Sequence, residues 1–270
     1  MDLGLSGRAC VVTGASRGIG RETARLLCAE GAKVLLVGRN EERLAAATDE
    51  ARSAGAAADG KAEALALDVT EVDAGTRILA SAVERFGALD VLVNNAGAAQ
   101  WRHLDEVPDE DWYAQYELNV MAPLRAMRAS APPMAERGWG RIVNVCSTAG
   151  KRPSAAMPEY SVAKAAELSL SRLFADRYAK QGVLVNAICP GPVEAELWME
   201  PGGLLDQSQE MSGAESREQA LETAGAKRPI GRLAEVEEIA AAIVFLCSER
   251  ASYVSGAAWS VDGGTVQVII

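Results

Sequence analysis

The chain has 270 residues, of which 49% are hydrophobic and 5% aromatic, and its formal net charge is −10. This charge, together with the absence of any lysine- and arginine-rich run, argues against nucleic acids and anionic membrane surfaces as partners.

The five cysteines are scattered without a CxxC pair, and His103 is the only histidine. We therefore expect buried, reduced thiols, no metal site and no histidine-based catalytic triad. No signal peptide and no apolar run of about 18 residues is recognisable, so the sequence predicts a cytoplasmic protein without membrane spans.

Short β-branched runs alternate with amphipathic stretches along the chain. The predicted strands are Ala9–Thr13, Lys33–Val37, Lys61–Leu67, Val91–Asn94, Arg141–Val145, Val183–Ile188 and Ala257–Val261. The predicted helices are Ile19–Glu30, Glu41–Ala54, Ala74–Phe86, Asp109–Ala135, Glu159–Lys180 and Val236–Cys247. Several strand candidates are apolar throughout, which is typical of strands buried on both faces. The pattern predicts an α/β fold, a single Rossmann-type doubly wound parallel sheet of about seven strands with helices on both faces.

No linker or repeat divides the chain, so residues 1–270 are expected to form one dinucleotide-binding catalytic domain. The stretch from Glu194 to Lys227 breaks the alternation and is too long for a plain connection. It is either a solvent-facing insertion or a lid over a ligand. Its position after the carboxyl end of a strand favours the lid.

A glycine-rich loop, residues 13–20 (TGASRGIG), follows the first strand and opens the first helix. Gly14 permits a tight turn, while Gly18 and Gly20 let backbone approach a pyrophosphate and let the helix pack on the strand. Ser16, Arg17 and Ile19 complete the loop, and the helix N-terminus offers free N–H groups to phosphates. The loop predicts dinucleotide binding; the alternative is a glycine-rich turn without a ligand.

The end of the second strand bears on the choice of cofactor. An NAD site usually has an acidic residue there for the ribose 2′-hydroxyl, whereas an arginine accommodates the 2′-phosphate of NADP. Here the positions are Gly38 and Arg39, followed by Asn40, and Arg17 can reach the same phosphate. This favours NADP(H), with NAD(H) as the alternative if Arg39 is only a solvated loop residue.

Two more segments end predicted strands. Asp68-Val69 places a carboxylate where it could accept the adenine amino group, although Asp68 could equally cap a helix. Residues 94–97 (NNAG) include Asn94, Ala96 and Gly97, and their small side chains would let an adenosine ribose lie against backbone. The alternative for both segments is that these residues only stabilise turns and bind no ligand.

Tyr160 and Lys164 are four residues apart in a predicted helix, so they share one face. A phenol has a pKa near ~10 in isolation, and a nearby ammonium stabilises the phenolate. Tyr160 can then serve as a general acid to a forming alkoxide. Ser147 could donate a hydrogen bond to the same oxygen. The YxxxK spacing alone is common by chance.

Taken together, these motifs resemble the short-chain dehydrogenase/reductase family nearly from end to end. The matching segments are residues 13–20, Asp68-Val69, residues 94–97, Trp112 with Asn119, Ser147, Tyr160 with Lys164, Pro190-Gly191, and residues 261–264. The resemblance implies that a hydride passes between the nicotinamide and the carbon of a small-molecule carbonyl or alcohol. Tyr160 would give or take the proton, Lys164 would hold the nicotinamide ribose, Ser147 would position the substrate oxygen, and Asn119 would hold a water of a proton relay.

The resemblance also implies an assembly and marks one departure. Such enzymes are commonly tetramers packed through helices that begin near Asp109 and Glu159, so we expect a homotetramer or a homodimer. The apolar tail Val266–Ile270 would lie near another interface. Many members have a threonine after Pro190-Gly191 that contacts the nicotinamide carboxamide, but this chain has Ala195 between two glutamates. The backbone around Val193 could replace that contact.

Members resembling 3-oxoacyl-carrier-protein reductases are the most similar in general appearance, which favours reduction of a ketone or a 3-oxoacyl-type substrate. Candidate pocket residues are Gln100, Trp101, Gly150, Met157, Leu197, Trp198 and Leu204, which suggest an apolar substrate body. Two other readings stay open. One is a non-catalytic NADP(H)-binding redox sensor or scaffold on the same fold. The other is an epimerase or dehydratase with tightly held NAD.

Overall fold

Seven parallel strands form the central sheet. The computed structural model describes residues 1–267, apart from the side chains at positions 211 and 212. The strands are β1 Ala9–Thr13, β2 Lys33–Gly38, β3 Lys61–Ala66, β4 Val91–Asn94, β5 Gly140–Val145, β6 Val183–Pro190 and β7 Ala258–Val261. Their order is β3-β2-β1-β4-β5-β6-β7, and every neighbouring pair is parallel. The predicted doubly wound parallel sheet is confirmed.

Helices cover both faces of this sheet. They are α1 Gly18–Ala29, α2 Glu41–Gly55, α3 Ala74–Phe86, α4 Asp109–Tyr116, α5 Ala122–Glu136, α6 Thr148–Lys151, α7 Pro158–Tyr178, α8 Glu196–Met199, α9 Leu204–Ser212, α10 Arg217–Ala226 and α11 Val236–Cys247. Apolar residues of α1, α2 and α11 pack with one face of the strands, and those of α3, α5 and α7 pack with the other. The two cores follow from strands that are buried on both sides, as β1 is along its whole length.

The strand order reverses between β1 and β4. In open parallel sheets, ligands bind in the crevice outside the carboxyl ends of the strands at such a switch point. The loops after β1, β2, β3, β4, β5 and β6 all emerge at that edge, because neighbouring strands run in the same direction. The fold therefore brings together six segments that are far apart in sequence.

The predicted single helix Asp109–Ala135 is interrupted. α4 and α5 are joined by a π-helical turn, Glu117–Met121, which carries Asn119. Such turns add a residue to the helix and re-aim the side chains on it. The other predicted elements differ from the observed ones by one or two residues at their ends, where helices and strands are least sharply defined.

The stretch from Glu194 to Lys227 contains α8, α9 and α10, and we call it the 194–227 segment. Trp198, Leu204, Leu205, Ala220 and Ala224 form a small apolar cluster within it, together with Leu233 beyond it. The segment therefore contains a small apolar core of its own. Of the predicted interfacial tail, only Val266 and Gln267 belong to the described residues, and the remainder lies outside them.

Within residues 1–267, no helix is both long and apolar enough to cross a lipid bilayer. All five cysteines are buried and unbridged. The same part of the chain contains no group of three or more metal-ligating side chains.

Candidate active site

A cavity of about 960 Å³ opens at the carboxyl edge of the sheet. Most of the residues expected to bind cofactor or act in catalysis line it: Gly14, Ser16, Arg17, Gly18, Ile19, Arg39, Asp68, Val69, Ala96, Gly97, Ser147, Tyr160, Lys164, Pro190, Gly191 and Val193. Residues as far apart in the sequence as Gly14 and Val193 thus contribute to one cleft. Its size suits a dinucleotide with a small substrate.

Three of the residues expected to bind the cofactor, Asn40, Asn94 and Gly20, do not line the cavity. Asn40 caps α2, because its side chain accepts a hydrogen bond from the Arg43 backbone N–H at 2.8 Å. Asn94 is buried within the sheet, where its Nδ2 donates to Oδ1 of Asn144 at 2.8 Å. Both asparagines stabilise the elements from which the cavity-lining loops begin.

Gly20 lies beneath the glycine-rich loop and is also absent from the cavity wall. A Cβ at this position would stand 2.4 Å from Nδ2 of Asn95 and 2.5 Å from the carbonyl oxygen of Gly14, closer than real atoms approach. Nδ2 of Asn95 also donates to the carbonyl oxygens of Thr13 and Gly14, at 2.9 and 3.2 Å. The missing side chain therefore lets α1 start against the end of β4.

The N-terminus of α1 fits a pyrophosphate. No side chain caps this terminus and no acidic residue lies in its first turn. Its first N–H groups therefore lack the partners that a capping side chain would supply, and Gly18 and Ile19 bring them to the cavity wall. A phosphate group would complete these hydrogen bonds and would be stabilised by the helix dipole.

Arg17 and Arg39, which are expected to bind the 2′-phosphate, line one end of the cavity, and Arg43 shares a carboxylate partner with Arg17. Arg17 donates to Oε2 of Glu200 at 2.7 Å, and Arg43 approaches Oε1 of the same carboxylate at 3.1 Å. Arg39 lies 3.5 Å from Asp68. The sequence pattern does not single out Arg43 or Glu200, since they meet only because the 194–227 segment folds back to α1 and α2.

The Asp68 side chain stabilises the turn that follows β3 through hydrogen bonds. Its Oδ1 accepts hydrogen bonds from the backbone N–H and the hydroxyl of Thr70, at 3.0 and 2.7 Å. Partial burial opposes ionisation, yet these hydrogen bonds and the charge of Arg39 hold the pKa of Asp68 below its usual value. The carboxylate is thus charged and available at the cavity wall.

Ser147, Tyr160 and Lys164 converge at the other end of the cleft. Ser147 caps α6, and its Oγ accepts from the Ala149 backbone N–H at 3.1 Å, which leaves its hydroxyl proton free to donate. α6 lies directly on α7, because Gly150 has no side chain: a Cβ there would stand 2.8 Å from the backbone of Lys164. This close approach places Ser147 beside the Tyr160 face of α7.

Burial raises the pKa of Tyr160, and the positive charge of Lys164 and a hydrogen bond with Ser147 oppose that rise. The ammonium of Lys164 lies 5.7 Å from the centre of the phenol ring. The arrangement is that of a phenol whose proton affinity is set by a nearby cation and a hydroxyl donor.

Asn119 is held by the π-helical turn behind Gly97. Its Nδ2 donates to the backbone oxygen and to Oε1 of Gln115, at 3.0 and 2.7 Å. Its Oδ1 is buried and lacks a hydrogen-bond partner among the described residues. A Cβ on Gly97 would stand 3.4 Å from this oxygen and 3.8 Å from Nζ of Lys164. The free acceptor therefore lies on the Lys164 side of the cleft, where a water could satisfy it.

Lys164 has a second anchor that the functional interpretation of the sequence did not include. Its Nζ donates to the Val145 carbonyl oxygen at 2.9 Å and to Oε2 of Glu167 at 2.7 Å. Burial alone would lower the pKa of Lys164, but the Glu167 carboxylate reverses this effect and raises it above the usual value. The i, i+3 spacing of two opposite charges was the available signal in the sequence.

The substrate end of the cleft is largely apolar. Trp101, Met157, Leu197, Trp198 and Leu204 line it as expected. The Trp101 and Trp198 rings meet edge to face, with centres 6.2 Å apart. The expectation fails for two residues, because Gly150 packs against the α7 backbone and the Gln100 side chain accepts from Arg102 instead.

Arg228 also lines this cleft, although no sequence motif marks it. Its Nη1 donates to the Ala224 carbonyl oxygen, and its Nε is buried without an acceptor among the described residues. Burial lowers the pKa of this guanidinium, and no described carboxylate forms an ion pair with it. The guanidinium is half-buried, and its Nε offers an unused donor at the wall of the cleft to an electron-rich ligand group.

The family model described as short chain dehydrogenase matches residues 8–202. This chain belongs to the short-chain dehydrogenase family. It is therefore an oxidoreductase that acts on CH–OH and C=O groups, as the resemblance in the sequence predicted.

The relatives of this short-chain dehydrogenase differ in substrate. The short-chain reductase protein NovJ of Streptomyces niveus is 37% identical over 254 residues, covering 94% of this chain and 92% of its own. The 3-oxoacyl-[acyl-carrier-protein] reductase FabG of Thermotoga maritima is 32% identical, covering 97% and 99%. The structure of L-sorbose reductase from Gluconobacter frateurii, complexed with NADPH and L-sorbose, superposes with a TM-score of 0.91 at 34% identity and covers all of both chains.

Proposed function

We propose that this short-chain dehydrogenase is an NADP(H)-dependent reductase of ketones or 3-oxoacyl-type compounds. The observation that carries the proposal is the convergence of Ser147, Tyr160 and Lys164 at one end of a cleft whose other end holds an uncapped helix N-terminus and two arginines, Arg17 and Arg39. The proton-handling groups and the phosphate-binding groups are thus part of a single cavity.

NADP(H) is the cofactor that the charges favour. Arg17 and Arg39 line the cofactor end of the cleft and, with Arg43, would bind the 2′-phosphate. Gly38 stands where an acidic residue would select NAD. The G. frateurii relative was solved with NADPH. When bound, the cofactor would supply or accept the hydride. The α1 N-terminus would hold its pyrophosphate, and Asp68, Val69, Ala96 and Gly97 would line its adenosine half, with NAD(H) accepted less well.

The chain's own residues would manage the proton. Ser147 would donate a hydrogen bond to the substrate oxygen, and Tyr160 would protonate that oxygen as negative charge develops on it. Lys164 would stabilise the resulting phenolate and hold the nicotinamide ribose. The unpartnered Oδ1 of Asn119 would hold a water through which the proton is replaced. Pro190, Gly191 and the backbone of Val193 would contact the nicotinamide in place of the threonine that is Ala195 here.

The substrate would combine an apolar body with an anionic group. Trp101, Met157, Leu197, Trp198 and Leu204 provide an apolar wall. Arg228 adds a half-buried guanidinium whose Nε has no described acceptor and which has no described carboxylate partner. A carboxylate or phosphate on the substrate would pair with it through a charge-assisted hydrogen bond.

The 194–227 segment would act as a lid. Gln207 of this segment accepts a hydrogen bond from the Trp101 backbone N–H at 2.9 Å, so the segment reaches across the cleft to the loop after β4. The segment also contacts the cofactor end of the cleft, where Glu200 accepts a hydrogen bond from Arg17. A segment that contacts both ends of the cleft can exclude water once the ligands are bound.

Self-association through α4 and α7, as a homotetramer or homodimer, would cover exposed apolar surface. These helices pack side by side and expose Tyr113, Tyr116, Val162 and Leu173, which are 46–74% accessible in the isolated chain. Contiguous exposed apolar residues of this kind commonly mark interfaces.

The proposed function is tested by following NADPH and NADH oxidation with a panel of ketones, ketoses and 3-oxoacyl thioesters. Reduction of at least one class with preference for NADPH supports it. Absence of turnover with every class, despite tight NADPH binding, would favour a cofactor-binding protein without catalysis.

A further inference from the structure

Glu167 lies one helical turn after Lys164 on α7 and forms an ion pair with it. Its side chain is 1% exposed and that of Lys164 is 3% exposed. The Oε2···Nζ distance is 2.7 Å, and Nζ is fixed from a second direction by the Val145 carbonyl oxygen at 2.9 Å. A charge pair this deeply buried is shielded from water and salt, so its interactions act over longer distances than those of a surface pair.

Few other titratable groups face this pair. Tyr160 shares the helix face, Cys146 follows β5, and Cys189 lies in β6. Burial raises the pKa of both thiols, and the charge of the Glu167 carboxylate adds to that rise. Beyond them, Lys151 and Asp262 act on Cys189 with opposite signs. The thiols therefore stay neutral, and Glu167 is the anion that accompanies Lys164.

We propose that Glu167 is a positioning residue that offsets the charge of Lys164, keeps Tyr160 protonated at neutral pH, and thereby suits the site to carbonyl reduction. This inference rests on the proposed reductase function. It adds the protonation state in which Tyr160 meets the substrate, which the family alone leaves open, because the same residues can serve reduction or oxidation.

The reasoning follows from the opposing effects of two charges. The ammonium of Lys164 favours the Tyr160 phenolate, and the Glu167 carboxylate disfavours it. Because the carboxylate is bound directly to the ammonium, Tyr160 faces an ion pair in place of a free cation. The pKa of Tyr160 is accordingly raised, with burial as the largest cause and Glu167 adding to it. A protonated phenol is the form that reduction requires, since it must donate a proton to the new alkoxide.

The test is E167Q, which retains shape and hydrogen bonding but removes the charge. Without the carboxylate, Lys164 acts on Tyr160 unopposed, and the pKa of Tyr160 should fall by about one unit. Alcohol oxidation with NADP+ needs the phenolate, so the rising limb of its pH–rate profile should move to lower pH. The falling limb of the pH–rate profile for ketone reduction should also move to lower pH. In the cofactor-free protein, an ultraviolet titration of tyrosinate, taken as the difference from the same protein carrying Y160F, should show the same shift.

Two further variants make the result specific. E167D retains the charge on a shorter side chain and should give a smaller shift, and it serves in place of E167Q if that variant does not fold. D176N removes one carboxylate from the exposed Arg172–Asp176 pair on the same helix and should leave both pH limbs unchanged. The proposal would be overturned if the pH–rate profiles of E167Q matched those of the unaltered protein. It would also be overturned if their limbs moved to higher pH because Lys164 had lost its proton. Inactivity of the unaltered protein toward every substrate would instead contradict the proposed function.

Discussion

The guanidinium of Arg17 donates a hydrogen bond to the Glu200 carboxylate at 2.7 Å, which joins the glycine-rich loop to the 194–227 segment. Arg43 contacts the other oxygen of the same carboxylate at 3.1 Å. One carboxylate of the chain thus lies between two arginines that are proposed to bind a cofactor phosphate. Cofactor binding and the position of the segment are therefore expected to be coupled.

Replacing Glu200 with glutamine should strengthen NADPH binding, because the phosphate would no longer compete with an internal carboxylate. The pair is about 40% exposed, so the expected gain is modest; an exposed ion pair of this kind corresponds to about two- to fivefold in Kd. Fluorescence titration with NADPH in the absence of substrate measures it. E222Q, an exposed charge in the same segment, is the matched control. Equal affinity in E200Q and the unaltered protein would show that Glu200 does not occupy the phosphate position.

Arg39→Gln should reduce the preference for NADPH over NADH. Loss of one charge-assisted hydrogen bond to the 2′-phosphate should raise KM for NADPH by about tenfold or more while KM for NADH stays nearly constant. Steady-state kinetics with both cofactors and one ketone distinguish the two effects. R52Q, which removes an exposed arginine on α2, should change neither constant. A parallel rise in both KM values would mean that Arg39 does not distinguish the cofactors.

Tyr160→Phe removes the proposed proton donor and leaves the ring in place. General acid catalysis contributes about 10²- to 10⁴-fold, so kcat should fall by that factor. The Kd of NADPH should change little, because the hydroxyl is expected to act on the substrate oxygen. Single-turnover kinetics and a cofactor titration measure the two quantities. Activity equal to that of the unaltered protein would refute the proposed role of Tyr160.

Arg228→Gln should affect anionic substrates selectively. For 3-oxo acids of increasing chain length compared with their methyl esters, the unaltered protein should prefer the acid by about tenfold, the value of one charge-assisted hydrogen bond. In R228Q, KM for the acids should rise until the preference for them is lost, whereas turnover of the esters should be retained. If the unaltered protein reduces the esters as well as the acids at every chain length, the guanidinium has another role.

The fold could be read from local patterns because each pattern reflects burial. β1 and β2 are apolar along nearly their whole length, and the helix between them presents one apolar face. The order of such elements along the chain therefore predicts a buried sheet covered by helices on both faces. The Tyr160–Lys164 pair was predictable for a related reason, since a spacing of four places two side chains on the same helix face.

Other parts of the site depend on contacts between distant segments. Glu200 meets Arg17 across 183 positions, and no local spacing signals that encounter. Arg228 is distinguished by what it lacks, a described carboxylate partner, and that is visible only in three dimensions. Asn94 and Asn40 were assigned to the cavity because they belong to motifs that reach it, but their side chains point to the framework of the sheet and to a helix cap.

The contact between Trp101 and Trp198 has an experimental consequence. One indole belongs to the loop after β4 and the other to the 194–227 segment, and their centres are only 6.2 Å apart. At that distance the excited states of two indoles interact, so any separation of the segment from the loop changes the near-ultraviolet circular dichroism and the intrinsic emission. The protein therefore contains an optical reporter of segment movement that needs no added label, and a rapid-mixing experiment with NADPH can time that movement against hydride transfer.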